Sequence, residues 1–267
     1  MNFRFALVGA LICGCWASSS AVVWRNDRTD ADMLNFGQDA RFAGVGQLWV
    51  GGGYGTATYL GFGNGSNWLL TAKHVIGSGE TGTLKFFGGP SFSITGTVGL
   101  AGVDISVAKI NGWSLSAPTL LLNMGTTVSG THIVSAGYGG SCPESQAPNY
   151  NFDDRRRGFE SVIDSVDGSN QVIDRFQAPG DPLCQNLEGF GAPGDSGSML
   201  MGDDGRVYGV LTGGQIEHYG SINWYAGINP TTAAQIYSIT GVPVPEPASM
   251  FALSIGALAL LRRRRKG

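Results

Sequence analysis

Short apolar runs rich in β-branched and aromatic residues, each closed by Gly, Asn or Ser, constrain this chain more than any other feature. Between residues 45 and 110 they read "VGQLWV", "TATYLG", "NWLLTA", "TLKFFG", "FSITGT" and "DISVAKI". A second series follows at "TVSGTHIVSAG", "GFESVIDSV", "NQVIDRF", "GSMLM", "RVYGVLTG" and "NWYAGI". Runs of this length and composition suit a half-buried pleated surface. No apolar stripe of helical period and useful length precedes residue 229. The 43 glycines and a charged fraction of only 14% fit a turn-rich, all-β chain and not a helical bundle. Two groups of about six strands predict two closed or nearly closed β units, because closure removes exposed sheet edges. Their join falls between Asn111 and Met124. The stretch from Gly139 to Phe159 is polar and proline-bearing and reads as a long surface loop. "NPTTAAQIYSITG" supplies one short C-terminal helix, with Asn229 as N-cap, Pro230 at the first helical position and Gly241 as the stop.

Both ends read as addresses. Arg4, the apolar run Phe5 to Ala17 and the small-residue exit Ser19-Ser-Ala21 have the layout of a secretory signal over residues 1–21, cut after Ala21. Ile12-Cys-Gly-Cys15 offers a rival lipoprotein-type cut that would leave a lipidated Cys15. At the other end a Pro-rich break precedes the apolar run Ala248 to Leu261 and the cations Arg262 to Lys266. That run is shorter than the ~20 residues a spanning helix needs, while its terminal cations mark the cytoplasmic side. Residues 242–267 resemble a PEP-CTERM sorting tail, with Pro245, Glu246 and Pro247 as its motif, a short membrane segment and an arginine cluster. The resemblance implies export in a Gram-negative bacterium, cell-envelope association or secretion, an exosortase-type processing partner beside signal peptidase, and transient membrane association through the tail. A plain C-terminal membrane anchor would have the same physical make-up.

Removing Arg4, the five tail cations and Glu246 leaves 11 basic against 19 acidic residues, a net charge of about −8. Such a surface is a poor match for nucleic acid. Two of the four cysteines remain, Cys142 and Cys184, and an exported protein with two cysteines predicts one disulfide between them and no metal site.

The stretch "GAPGDSGSML" places Ser196 between glycines that permit a tight backbone around its hydroxyl. A free serine is a feeble nucleophile; it needs a base within hydrogen-bond reach, and the base needs an orienting acceptor. Of the three histidines, His132 lies mid-strand and His218 in a polar loop, whereas His74 leaves the apolar strand of "NWLLTAKHVIG". Asp104 introduces a strand that otherwise reads as buried, and a buried carboxylate asks for a donor such as an imidazole N–H.

"LLTAKH", "DISVAKI" and "GDSG", in that order and with "SAGYG" between the last two, resemble the motifs of trypsin-like serine peptidases of the chymotrypsin fold. The resemblance spans roughly residues 42 to 238 and implies two six-stranded antiparallel β-barrels within a peptidase domain over residues 22–241. It implies His74 as base, Asp104 as its orienting partner and Ser196 as nucleophile, with the N–H groups of Gly194 and Ser196 as the oxyanion hole. In animal members an acid at the position of Asp195 pairs with a new N-terminal ammonium after an activating cut. This chain lacks their usual start; a cut after Ala21 would make Val22 the first residue, a cut after Arg25, Arg28 or Arg41 is an alternative, and Asp195 satisfied by local backbone donors without any activating cut is an equal one.

The sequence departs from the family at Lys73 and Val75, which flank His74; a cation so close to the ring is expected to point to solvent. Phe190 aligns with the base of the specificity pocket, with Thr212, Gly213 and Gly214 as the substrate-pairing edge. With Phe190 in place of an acid there, the expected preference is for apolar or small residues at the cleavage position. The expectation is an exported serine endopeptidase acting on proteins or peptides without cofactor or metal. The alternative is a surface or matrix binding protein that uses the loops of the same scaffold.

Overall fold

A computed structural model describes residues 22–243. The expected leader with Cys13 and Cys15, and the sorting motif Pro245-Glu246-Pro247, lie outside the described residues. In chain order come strand β1 (Val23–Trp24), helix α1 (Asp30–Gly37), and strands β2 (Val45–Val50), β3 (Gly53–Gly63), β4 (Ser66–Thr71), β5 (Gly82–Lys85), β6 (Ser91–Gly99) and β7 (Ser106–Ile110). Strands β2 to β7 close an antiparallel six-stranded barrel in the order β2-β3-β4-β7-β6-β5.

A connection carrying β8 (Leu121–Leu122) leads to β9 (His132–Gly137), β10 (Cys142–Pro143), β11 (Arg157–Val166), β12 (Gln171–Arg175), β13 (Gly189–Phe190), β14 (Met199–Gly202), β15 (Arg206–Gly214) and β16 (Ile222–Gly227). Six of these form the second barrel in the order β14-β9-β11-β12-β16-β15, closed by the pairing of β14 with β15, and β8 joins β15 in parallel. The two barrels share an apolar cluster: Val45, Leu60 and Leu70 of the first pack with Val134, Met199 and Val210 of the second. That shared core fixes the groove between them. Helix α2 (Pro230–Thr240) closes the domain; the Asn229 side chain accepts from the Thr232 N–H at 2.9 Å, and Gly241 takes the left-handed φ of 63° that ends it.

Several elements lie outside the sequence expectation. Helix α1 has only eight residues, too short for a periodic stripe to show, and it is held by a capping box between Thr29 and Asp32. It packs on β11 so closely that a Cβ on Gly37 would lie 2.5 Å from the Arg156 carbonyl oxygen. Strand β1 lies between β10 and β13, all three only two residues long. The expected loop over 139–159 is tied down at Ser141 and Asn151, which exchange backbone hydrogen bonds of 2.9 Å. At its end Arg157, fully buried, binds Asp153 and Asp30.

The disulfide expected between Cys142 and Cys184 is absent: both are free thiols. Cys142 is enclosed by Val23, Phe176 and Phe190, where burial pushes its thiol up to about 12. Cys184 sits in the turn before β13, its Sγ 3.6 Å from the Gln177 carbonyl oxygen. Each thiol is engaged by its own surroundings.

Among the carboxyls buried in the second barrel are Asp174 and Glu188. Asp174 accepts from the Tyr225 hydroxyl at 3.1 Å, and Glu188 accepts from the Gln185 and Gln177 N–H groups at 2.8 and 3.2 Å. Burial raises Asp174 to about 7 and Glu188 to about 8 against the pull of those hydrogen bonds. A carboxyl whose folded pKa is raised stabilises the fold most when protonated, and that stability is lost as pH climbs from the unfolded values near 4 to the folded ones. The urea midpoint is therefore expected to fall between pH 5 and pH 8, with a shallower fall in Asp174→Asn; an equally steep fall in that variant would reject this origin.

Candidate active site

His74 leaves the first barrel three residues beyond β4, in a turn where the Val75 and Ile76 N–H groups donate to the Ala72 carbonyl. Ile76, fully buried, anchors the turn. Asp104 stands two residues before β7, the strand paired with β4, so the ladder that matches Thr71 with Ser106 brings the two side chains together. The His74 N–H donates to Asp104 Oδ1 at 2.9 Å, and Nδ1 of the ring meets Oδ2 at 2.6 Å. Burial works to raise the Asp104 carboxyl; the hydrogen bonds and charge of His74 outweigh it and leave the pKa lowered. One carboxylate thus fixes both the backbone and the ring of the histidine. Lys73 does not extend freely into solvent as expected: its Nζ donates to the Leu100 carbonyl at 3.1 Å.

Ser196 comes from the loop before β14. The loop folds on itself through Asp195 N–H to Ala192 O at 3.0 Å and Ser198 N–H to Asp195 O at 2.7 Å, and Gly197 N–H reaches Leu211 O at 2.8 Å. Gly194 and Gly197 have φ of 98° and 92°, values that a side chain would strain. Thr56 of β3 holds this loop against the first barrel. Its N–H donates to Ser196 O at 2.8 Å, and its hydroxyl donates to Gly194 O at 2.9 Å while accepting from Tyr138 N–H at 3.2 Å. Its carbonyl accepts from the Thr71 hydroxyl at 2.7 Å. The fit is close enough that a Cβ on Gly197 would lie 2.1 Å from the Thr56 oxygen.

His74, Gly194 and Ser196 line one cleft between the barrels, along with Tyr54 and Glu80, with no direct hydrogen bond between the imidazole and the Ser196 hydroxyl. The N–H groups of Gly194 and Ser196 donate to no carbonyl among the described residues. Asp195 is buried below them, its carboxyl accepting from Ala192 N–H at 3.1 Å and Gly139 N–H at 3.3 Å. Burial raises it to about 8 against those donors. The other two histidines also meet carboxylates, His132 with Asp203 and His218 with Glu144. Neither lines the cleft with Ser196.

A second cavity of ≈ 230 Å³ opens beside Ser196 and is lined by Gly191, Leu211, Gly213, Gly214 and Glu217 among others. Of the four expected substrate-binding residues, Gly213 and Gly214 line it. Phe190 is wholly buried, its ring tilted against that of Phe176 with centroids 5.8 Å apart and lying beneath Gly214. Thr212 points its hydroxyl to the Trp224 carbonyl at 2.9 Å and borders a separate cavity shared with Asp104. Sequence reasoning missed Thr56, hidden inside a run read only as strand, and Glu217, which belongs to no motif that it singled out.

Among solved structures the chain is similar to neuropsin, a serine protease expressed in the limbic system of mouse brain. That match has 15% identity and a TM-score of 0.55, covering 74% of this chain and 94% of the other. It is also similar to a Glu endopeptidase, at 14% identity and a TM-score of 0.53, covering 83% and 97%. The shared feature is the double-barrel fold of trypsin-like serine proteases. Residues 243–266 match the PEP-CTERM protein-sorting motif, a mark of export to the cell envelope or surface. No curated protein matches.

Thr56→Val keeps the shape but strips the hydroxyl from two buried partners, Gly194 O and Tyr138 N–H. It is expected to destabilise the fold by about 1–3 kcal/mol in urea titration, with Thr56→Ser restoring most of the loss. Equal stability in all three proteins would show that the seam does not depend on this hydroxyl.

Proposed function

We propose that this chain is an exported serine endopeptidase that hydrolyses peptide bonds through an acyl-enzyme. The observation that carries the reading is the doubly bonded His74–Asp104 pair facing a cleft that also holds Ser196 and two undirected N–H groups. In this reading His74 Nε2 removes the Ser196 proton as the hydroxyl oxygen attacks the substrate carbonyl. Asp104 holds the Nδ1–H tautomer and stabilises the imidazolium. The Gly194 and Ser196 N–H groups receive the oxyanion, each donor worth about 3 kcal/mol of transition-state stabilisation. The imidazolium then protonates the leaving amine, and water attacks the acyl-enzyme by the same route in reverse. The absence of a direct contact between hydroxyl and ring accords with catalytic hydrogen bonds that tighten once substrate is bound.

The same reading places the peptidase domain at residues 22–241, between a leader removed by signal peptidase and a tail processed by an exosortase-type enzyme in a Gram-negative envelope. It also gives the leader cut a second consequence. Val22 is fully buried at the head of β1, which pairs with β13 five residues before Asp195. A cut after Ala21 would turn the Val22 nitrogen into an ammonium inside this layer, where the Asp195 carboxyl has backbone donors but no ion-pair partner. An opposite charge would draw that carboxyl back below neutrality and fix the oxyanion loop above it.

Two experiments test these points. A fluorophosphonate probe should label the folded 22–241 protein on Ser196 and leave Ser196→Ala unlabelled, and Asp104→Asn should lower kcat by about 10⁴-fold. Folded protein that refuses the label would favour a binding scaffold over a hydrolase. Protein beginning at Val22 should also exceed, by at least about tenfold in kcat/KM, a version with one extra residue ahead of it. Equal activity would remove the ammonium from the account.

A further inference from the structure

Three arginines stand in a row where the loop over 139–159 enters β11, and the fold treats them differently. Arg157 is the buried anchor, matched by Asp30 and Asp153. Arg155 and Arg156 belong to none of the ion pairs among the described residues. The two acids before them are engaged elsewhere: both Asp153 oxygens accept from Arg157 at 2.8 Å, and Asp154 accepts from Gln47 Nε2 at 2.9 Å. The Arg156 side chain reaches α1 and β2, with Nε donating to Gly37 O at 2.6 Å and Nη1 to Val45 O at 3.1 Å. Burial is the largest influence on this guanidinium and lowers its pKa; the Tyr138 hydroxyl, which accepts from it, works against that. All these partners are neutral oxygens, so they satisfy donors and leave the charge without a counter-ion.

Both guanidiniums line a cavity of ≈ 530 Å³ that shares no residue with the cleft holding Ser196 or with the cavity beside it. The other polar side chains there are Gln38, Ser116 and Tyr138, and no carboxylate lines it. Phe86, Phe87, Pro90 and Leu115 supply an apolar wall. The wall is held by its own turn and by the first barrel. Gly89 N–H donates to Phe86 O at 2.9 Å and Phe86 N–H to Pro90 O at 3.2 Å, while the Phe86 ring meets those of Phe92 and Trp113 edge-on at 6.1 and 5.9 Å. Phe87 is 62% exposed, with the Arg155 guanidinium 5.9 Å from its ring centre.

Without its two ends the chain carries about −8, so a cavity with two guanidiniums and no acid is a local reversal of sign. A half-buried guanidinium without a counter-ion gains most from a carboxylate, whose two oxygens match its planar fork. The apolar wall gains from a ring, and the volume is that of a small-ligand site. A cationic ligand would be repelled, and a purely apolar one would leave both charges unmatched.

We propose that this cavity is a receptor for a carboxylate carried on an aromatic ring, with Arg155 and Arg156 receiving the carboxylate and Phe86, Phe87 and Leu115 the ring. A free aryl acid and a C-terminal phenylalanine present the same chemistry. The site goes beyond the hydrolase reading and does not depend on it, because none of its residues belongs to the cleft.

Calorimetry on the folded full chain with phenylacetate, phenylacetamide and acetate tests the assignment without turnover. Phenylacetate should bind at least about tenfold more tightly than phenylacetamide, which lacks the charge, and than acetate, which lacks the ring. Arg156→Gln should weaken phenylacetate by at least about tenfold and Arg155→Gln by at least about threefold. Arg155 is exposed and meets the fold through the Phe87 ring, so its variant keeps the test decisive even where Arg156→Gln, deprived of two main-chain bonds, does not fold. N-acetyl-phenylalanine separates the sources: binding tighter than phenylacetate assigns the site to chain ends, and equal or weaker binding assigns it to free acids. No binding of phenylacetate, equal binding of phenylacetamide or acetate, or Arg155→Gln protein that binds as the wild type does would overturn the assignment. Protein that binds phenylacetate through Arg155 yet refuses the fluorophosphonate label would keep this site and lose the hydrolase reading.

Discussion

Over the apolar core that the barrels share, Thr56 ties the serine loop of the second barrel to the first. A two-barrel protein can bring side chains from both halves to one place only if something fixes the second barrel's loop against the first. Here Thr56 uses its N–H, its hydroxyl and its carbonyl for that purpose, and three of the four contacts involve groups of the Gly194–Ser196 loop or of Tyr138 in the second barrel. All are shielded from water, where each hydrogen bond is electrostatically stronger and an unpaired partner is more costly. Gly194 and Gly197 both hold a left-handed backbone, and at Gly197 no side chain would fit between the loop and Thr56.

Around the seam, acidic groups take three different states for physical reasons. Asp104 is half-exposed and bonded twice by His74, so it stays charged and orients the ring. Asp195 is buried with backbone donors alone, and that burial suppresses its charge. Glu217 lines the cavity beside Ser196, with the Tyr150 hydroxyl hydrogen-bonded to it. In the proposed reading the first of these groups orients the base and the second orders the oxyanion loop.

Much of this was legible in the residues. The runs that became β2 to β7 and the principal strands of the second barrel were marked by composition and by glycine boundaries. The caps of α2 lay where Asn229, Pro230 and Gly241 pointed. What stayed hidden was whatever depends on contacts distant in sequence. Helix α1 has too few residues to show a period, and two-residue strands such as β1 exist only because β10 and β13 flank them. Cys142 and Cys184 looked like a pair because export favours disulfides, but that rule says nothing of where a fold puts each sulfur. Phe190 is expected at the base of the pocket, and its ring does lie beneath the Gly214 wall, but that it is wholly buried there depends on its packing with Phe176 and Cys142, which no local pattern shows.

The account stands on Ser196 forming a covalent bond to substrate, and that bond can be weighed. Mixing the Val22-started protein with an activated ester for milliseconds, quenching in acid and digesting for mass spectrometry should find one acyl group per chain on the Ser196 peptide, with none in Ser196→Ala. Ester turnover that continues in Ser196→Ala, or an acyl group found on any other residue, would contradict it.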